Sequence, residues 1–330
     1  MFTGREEYST RWLDKHGRFD LASSGLGSAV REPVVSMYLR ENGFQVKYPN
    51  DRPFAVCLTH DVDNIYPTLT HMLLSSAYSL KKLDFGQIGR QLSWRFGNKS
   101  RSPYINFTHI MEIEKEFGAK STFYFLATDR DVLRFRYRIE EISGELKSIV
   151  ENGWEVGLHT GYYSFDNLDA IVAEKARLEK ALGREVIGCR NHYLRFKTPE
   201  TWELLSKAGF KYDATYGYHD GIGFRNHICY PFRPFNLNTD SEVNIVEIPL
   251  TVMDDVLFGY NSSTALSEVQ RIIRTVEKYN GVLTLLWHNH IFDCPFREKW
   301  AELYKIILEY CYKKNAWMTS AEGIYSWVTN

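Results

Sequence analysis

Charge is almost balanced in this chain. Its 40 Lys and Arg stand against 41 Asp and Glu, leaving −1 over 330 residues. A general nucleic-acid binder carries a clear basic excess, so the balance argues against that class. Cysteine is scarce: Cys57, Cys189, Cys229, Cys294 and Cys311 are odd in number and have no CxxC spacing. Cys57 and Cys189 lie in apolar, strand-like runs, where a thiol behaves as a small hydrophobe. They read as reduced, which suits a cytoplasmic protein. Residues 1–12, MFTGREEYSTRW, hold no apolar core of a signal peptide, and no run approaches the ~18 apolar residues of a membrane span. There is no internal repeat, no glycine-rich phosphate loop after a strand and no GxSxG elbow. Without that elbow, and with no Cys in a polar motif, a covalent acyl-enzyme is disfavoured.

What is present is an ordinary globular composition, 44% hydrophobic and 25% charged, with a high aromatic share of 15%. Aromatics fill a core, and they also stack on sugar rings; composition does not separate the two. Residues 1–52 are weakly patterned, with a short helix over 34–41 and breaks at Gly25, Gly27 and Gly43. They read as an N-terminal segment packed on a main domain over 53–330. Residues 64–103 carry Lys81, Lys82, Arg90, Arg95, Lys99 and Arg101 against a single acid, Asp84, with apolar residues at helical spacing. This predicts two inserted helices with a solvated basic face, or a lid that makes peripheral contact with a membrane surface.

From residue 104 the rhythm is regular. Helices are expected over 105–117, 139–152, 166–182 (capped by Asp166), 199–208, 263–279, 298–313 and 321–328. Strands are expected over 54–58, 121–126, 154–158, 186–189, 210–212, 243–250, 282–287 and 316–319. Alternation of this kind means parallel strands joined by right-handed crossovers. The fold class is α/β: a distorted (β/α) barrel of about seven parallel strands, with the helical insertion at 64–103.

The placement of polar residues points to a site. Asp61 and Asp63, His159, Arg190 and His192, Asp213, and His288 with His290 all fall at the C-terminal ends of expected strands. In a (β/α) barrel those ends share one face, where active sites are built. Asp61 and Asp63 sit two apart in extended chain and point the same way. Two neighbouring carboxylates repel unless a cation lies between them or one takes a proton. Carboxylate with imidazole is the ligand set of a catalytic divalent metal such as zinc, which activates water for hydrolysis of an amide or ester.

These residues resemble the motifs of the polysaccharide deacetylase family, which includes chitin and peptidoglycan deacetylases. The likeness spans residues 52–330. Thr59-His60-Asp61-Val62-Asp63 is similar to its first motif in a D-x-D variant, and Glu155-Val156-Gly157-Leu158-His159-Thr160 to the start of its second. Arg190-Asn191-His192-Tyr193 resembles the third, Tyr212-Asp213-Ala214-Thr215 the fourth and Leu285-Leu286-Trp287-His288 the fifth. The resemblance implies Asp61 as general base and Asp63 and His159 as metal ligands. It gives Arg190 the task of orienting Asp61, the Tyr193 backbone N–H a place in the oxyanion site, and His288 the protonation of the leaving amine. Asp213 joins the catalytic group through the fourth motif. One departure stands out: the position four after His159 is Tyr163, where the family has a second His. His192 is the replacement ligand expected here, with His290 the weaker choice. Asp61 and Asp63 could also exchange roles or both bind metal.

The expected function is metal-dependent removal of an acetyl group from an N- or O-acetylated sugar of a glycan or glycan precursor, lipid- or nucleotide-linked. The alternatives are hydrolysis of a non-sugar amide and a non-catalytic carbohydrate-binding or interaction protein on the same barrel.

Overall fold

Alternation of side chains along one strand organises the molecule. In a computed structural model, which describes residues 5–8, 13–24, 26–132 and 134–330, the first strand, β1 (Ala55–Val62), is buried along its whole length. Gly25 lies outside the described residues. The remaining strands are β2 (Thr122–Leu126), β3 (Glu155–Thr160), β4 (Gly188–Asn191), β5 (Tyr212–Asp213), β6 (Phe235–Asn236), β7 (Ser241–Glu242), β8 (Val246–Glu247), β9 (Val252–Met253), β10 (Val282–Leu286) and β11 (Trp317–Thr319). Nine of them form one sheet in the order β8-β5-β4-β3-β2-β1-β10-β9, with β11 added on β1. Every ladder in it is parallel. The path ends at β8 and β9, which do not pair, so this α/β barrel is distorted and open at one seam. β6 and β7 form a separate antiparallel pair.

The two faces of the sheet carry different cores. Val56 and Leu58 of β1, with the preceding Phe54, pack outward against the helices. Ala55 and Cys57 face inward, with Tyr124, Tyr212, Ala214, Val246 and Ile248. The inner layer is tight enough to demand glycine: a Cβ on Gly188 would lie 1.9 Å from the Tyr212 ring, and one on Gly157 2.5 Å from that of Tyr124. Inward parity continues through Thr59 to Asp61 and Asp63, so the inner face of β1 changes from apolar to acidic at the C-terminal rim.

Several boundaries differ from the sequence reading. β1 runs on to Val62, β3 to Thr160 and β4 to Asn191, so Asp61, His159 and Arg190 lie inside their strands. Polar residues look like strand terminators, but here they are buried and still join the ladder. The stretch 243–250 gives only the two residues of β8, and β9 was not expected. The helix Leu168–Leu182 is capped by Asn167, whose side chain accepts from the Ala170 N–H at 3.1 Å, and not by Asp166. Its end is Gly183, left-handed at φ 85°, where glycine has no Cβ penalty.

The stretch after β1 forms two helices, Leu69–Lys81 and Phe85–Phe96, capped by Thr68 and Asp84. The N-terminal segment lies against the C-terminal rim. Arg195 Nε donates to the His16 carbonyl at 2.9 Å, and Arg225 pairs with Glu7. All five cysteines are free and buried. No helix among the described residues is long and apolar enough to cross a membrane.

Candidate metal and acid–base site

The rim of the barrel encloses a cavity of about 280 Å³. Asp61, Asp63, His159, His192, Tyr193 and His288 all line it. β1, β3, β4 and β10 deliver them, in parallel register, to one end of the sheet.

Asp63, His159 and His192 form the centre, with their ligand atoms within 4.8 Å of one another. His159 Nε2 is 3.3 Å and His192 Nε2 3.7 Å from Asp63 Oδ1. Ligands about 2.1 Å from a tetrahedral ion stand roughly 3.4 Å apart, so these separations suit one cation. Asp63 Oδ1 and both ring nitrogens of His192 are buried without a hydrogen-bond partner. Such orphaned donor atoms are costly unless something binds them, and their types are those of a zinc-like ion. The residues present therefore fit a divalent metal. Burial alone would raise the Asp63 pKa; His192, His159 and His288 outweigh it and hold the carboxyl well below its usual range. Burial likewise opposes charge on His159, but Asp61 and Asp63 raise its pKa. The same negative field favours a cation there.

Each imidazole is oriented from behind. His159 Nδ1 is 2.9 Å from the Arg190 carbonyl, which leaves Nε2 facing Asp63. His192 Nδ1 lies 3.5 Å from Asp131 Oδ1, whose other oxygen takes Arg136. Carboxylate support behind a ligating histidine is a common feature of metal sites. Asp131 has no sequence signal: it lies in an irregular stretch after β2.

Asp61 stands beside this centre. Arg190, fully buried, donates from Nη1 to Asp61 Oδ1 at 2.9 Å and to Thr59 Oγ1 at 2.8 Å, and from Nε to the Ala214 carbonyl at 2.8 Å. Its guanidinium lies over the Tyr124 ring, 4.7 Å from the centroid. Breaking so buried a pair costs about 3–5 kcal/mol, because one charge would remain unpaired. Asp61 Oδ2 points toward His159 Nε2 at 3.6 Å.

Across the cavity His288 Nε2 is 3.9 Å from Asp63 Oδ2. Its Nδ1 is 2.8 Å from Asp254 Oδ1, and its backbone N–H donates to Asp254 Oδ2, also at 2.8 Å. Burial disfavours a charged His288, but Asp254, then Asp255 and Asp63, push its pKa well above the ordinary value. Asp254 carries no sequence motif; it follows the unexpected β9 in a helix of four residues.

Tyr193 adopts a left-handed φ of 62°, uncommon for a residue with a Cβ. Arg18 Nη1 donates to its carbonyl at 3.0 Å, and the Tyr193 N–H makes no hydrogen bond among the described residues. Arg18 itself lines the cavity, from an N-terminal segment whose role was not legible.

Tyr163 takes no part in the centre, as expected of the position where the second His is missing: it is 42% exposed, with the Arg130 guanidinium 4.2 Å from its ring centroid. The reason is local, since Gly161 N–H and Ser164 Oγ both donate to Glu174 and turn the loop away. Two sequence expectations, those for His290 and Asp213, are corrected. His290 is no alternative ligand, because its Nε2 accepts from Arg297 Nη1 at 2.8 Å. Burial, His288 and Arg297 lower its pKa to about 3, so it is neutral. Asp213 does not reach the cavity. It lies beside Glu247 across the β5–β8 ladder and accepts from Thr215 Oγ1 at 2.5 Å. Burial and the adjacent Asp213 raise the Glu247 carboxyl well above the carboxylate range, and burial raises Asp213 as well.

No family model matches the chain, and no curated protein matches it. Solved structures do. A Mycobacterium smegmatis protein assigned as a polysaccharide deacetylase superposes with a TM-score of 0.58 at 19% identity, over 86% of this chain and 93% of that one. The PuuE allantoinase superposes with a TM-score of 0.57 at 15% identity, over 92% and 95%. The chain thus has the distorted barrel fold that a deacetylase and an allantoinase share, over nearly its whole length.

Proposed function

We propose that the rim cavity is the active site of a metal-dependent amide hydrolase, acting to remove an acetyl group from an N-acetylated sugar. One observation carries the reading: two differently supported acid–base groups, Asp61 on Arg190 and His288 on Asp254, flank the Asp63–His159–His192 centre in one cavity. Two proton-carrying groups on different sides of one centre are what removal of a proton from water and delivery of one to the leaving group require.

A divalent metal held by Asp63, His159 and His192 would supply Lewis acidity and an activated water. The chain's own residues do the rest. Arg190 holds the Asp61 carboxyl in place through Oδ1, so that Oδ2 is free to accept the proton of the attacking water. The Tyr193 N–H, freed by the left-handed turn, donates to the oxygen that becomes negative. His288, charged through Asp254, delivers a proton from Nε2 to the leaving amine. Asp213 and Glu247 touch no substrate; they set the position of β4 and β5 behind Arg190. The substrate would be a free, nucleotide-linked or lipid-linked sugar; the wall arginines Arg18 and Arg136 are already paired with Asp14 and Asp131. Hydrolysis of a non-sugar amide on the same centre is the second reading, favoured by the equal likeness to an allantoinase.

The test is acetate release from N-acetylated sugars and their nucleotide- and lipid-linked forms, with allantoin as the non-sugar amide. The metal-loaded protein is expected to release acetate, and Asp61→Asn or His288→Ala to lower kcat by about 10²–10⁴. Turnover of allantoin alone would establish the second reading. Equal turnover by the parent and both variants would place the chemistry elsewhere.

A further inference from the structure

The helices Leu69–Lys81 and Phe85–Phe96 are amphipathic the wrong way round. In the first, Ser75 and Ser79 are 3% and 1% exposed, while Leu69, Leu73, Leu74 and Leu80 are 51–65% exposed. Leu69, Leu73 and Leu80 are spaced by whole turns and share one face, with Leu74 beside it. In the second, Gln91 and Trp94 are buried, and Phe85, Leu92 and Phe96, seven and then four residues apart, are 67%, 50% and 83% exposed. Leu83, between the helices, is 72% exposed. A soluble surface rarely gathers so many large apolar side chains in one place.

The apolar residues have cationic neighbours. Lys81, Lys82, Arg90, Arg95, Lys99 and Arg101 face a single acid within the stretch, Asp84. Lys82 is engaged with Glu298, and Lys99 lies 3.9 Å from Glu141. Lys81, Arg90, Arg95 and Arg101 make no ion pair among the described residues. Leucine and phenylalanine outward with lysine and arginine beside them is the composition of a helix that lies in a membrane interface. A second protein chain would answer the leucines alone; the unpaired cations call for a surface dense in negative charge.

We propose that the 69–96 helical pair docks on the surface of an anionic lipid bilayer, its leucines and phenylalanines at the level of the acyl chains and its lysines and arginines among the headgroup phosphates. At 13 and 12 residues these helices lie on a membrane and do not span it. The pair enters directly from the C-terminal end of β1, the end at which Asp63 stands. His71 Nδ1 lies 2.9 Å from Tyr104 Oη, and the Tyr104 ring packs on His290, which packs on His288. Docking would hold the cavity near the bilayer surface, whatever reaction the cavity performs.

The test is flotation of the full chain with vesicles of phosphatidylcholine alone or with 30% phosphatidylglycerol, at about 50 and 500 mM salt. Binding is expected only with the anionic vesicles, and weaker at high salt. Each cation near such a surface strengthens binding about fivefold, so Lys81→Glu, Arg90→Glu and Arg95→Glu together should lower the affinity at least a hundredfold. Leu73→Gln, Phe85→Gln and Phe96→Gln should also abolish flotation. All six positions are exposed, and an unchanged far-ultraviolet spectrum and melting temperature would show that the fold survives. Absence of binding to anionic vesicles would overturn the proposal. So would a dimer in sedimentation that the apolar variant converts to monomer without any vesicle binding, since a second copy would then cover the face.

Discussion

Removing His192 should dismantle the metal centre, whereas removing Tyr163 should leave it intact. The two residues compete for one role: the ligand that His159 lacks four residues on. The proposed metal centre gives the role to His192, whose Nε2 is 3.7 Å from Asp63 Oδ1 with no other partner. A four-ligand structural zinc site is worth roughly 10–16 kcal/mol, or about 3 kcal/mol for each ligand. His192→Ala should therefore weaken zinc binding about a hundredfold. Asp131→Ala, which only loosens the His192 ring, should weaken it about tenfold. Tyr163→Ala should change nothing, because the ring meets Arg130 and solvent. Competition against a chromophoric chelator gives the three affinities, and the visible spectrum of the cobalt form reports loss of a nitrogen ligand. Parent-like affinity in His192→Ala, or a large loss in Tyr163→Ala, would refute the assignment.

Asp254→Asn removes the main charge that keeps His288 protonated against its burial, so the His288 pKa should fall. The alkaline limb of kcat/KM should move to lower pH and kcat should drop about a hundredfold; an unmoved limb would dissociate Asp254 from catalysis. At the opposite end of β3, burial raises Glu155 from 4.5 to about 7. Between those values the unfolded chain ionises this group before the folded one does, so stability is lost as pH rises, by roughly 3 kcal/mol in all. Glu155→Gln should flatten that slope in urea midpoints taken from pH 4.5 to 8, and an unchanged slope would assign the pH dependence to other groups.

Much of the barrel was legible because alternation of strand and helix leaves few topologies open. The helices 34–41 and 298–313 coincide with their expected limits. Strand ends were less legible. Thr59, His60 and Asp61 read as a polar stop, yet they are buried and paired, and only tertiary contacts reveal that. Parity along β1 held a further signal. His60 has the parity of Val56 and Leu58, and it indeed points to the outer layer, with Nε2 2.9 Å from Glu114 and Nδ1 2.7 Å from the Trp287 carbonyl. Asp254, Asp131 and Arg18 carry no periodic or motif signal, since each comes from a short or irregular segment brought to the rim by folding. Asp213 looked like its neighbours at other strand ends, but β5 is two residues long and leaves its carboxyl against Glu247.

The three candidate ligands come from three different strands, β1, β3 and β4, instead of from two. A pair of histidines one helical or loop turn apart ties an ion to a single local segment, and its loss disturbs little else. Here an ion would act as a cross-link among distant parts of the chain, joining a residue in the first quarter of the sequence, Asp63, to His159 near its middle and His192 beyond it. Sliding of β3 or β4 along the sheet would change the ligand cage directly. Metal occupancy would then be a gauge of whether the barrel's strands are in register, and the ion would contribute to holding the architecture as well as to chemistry.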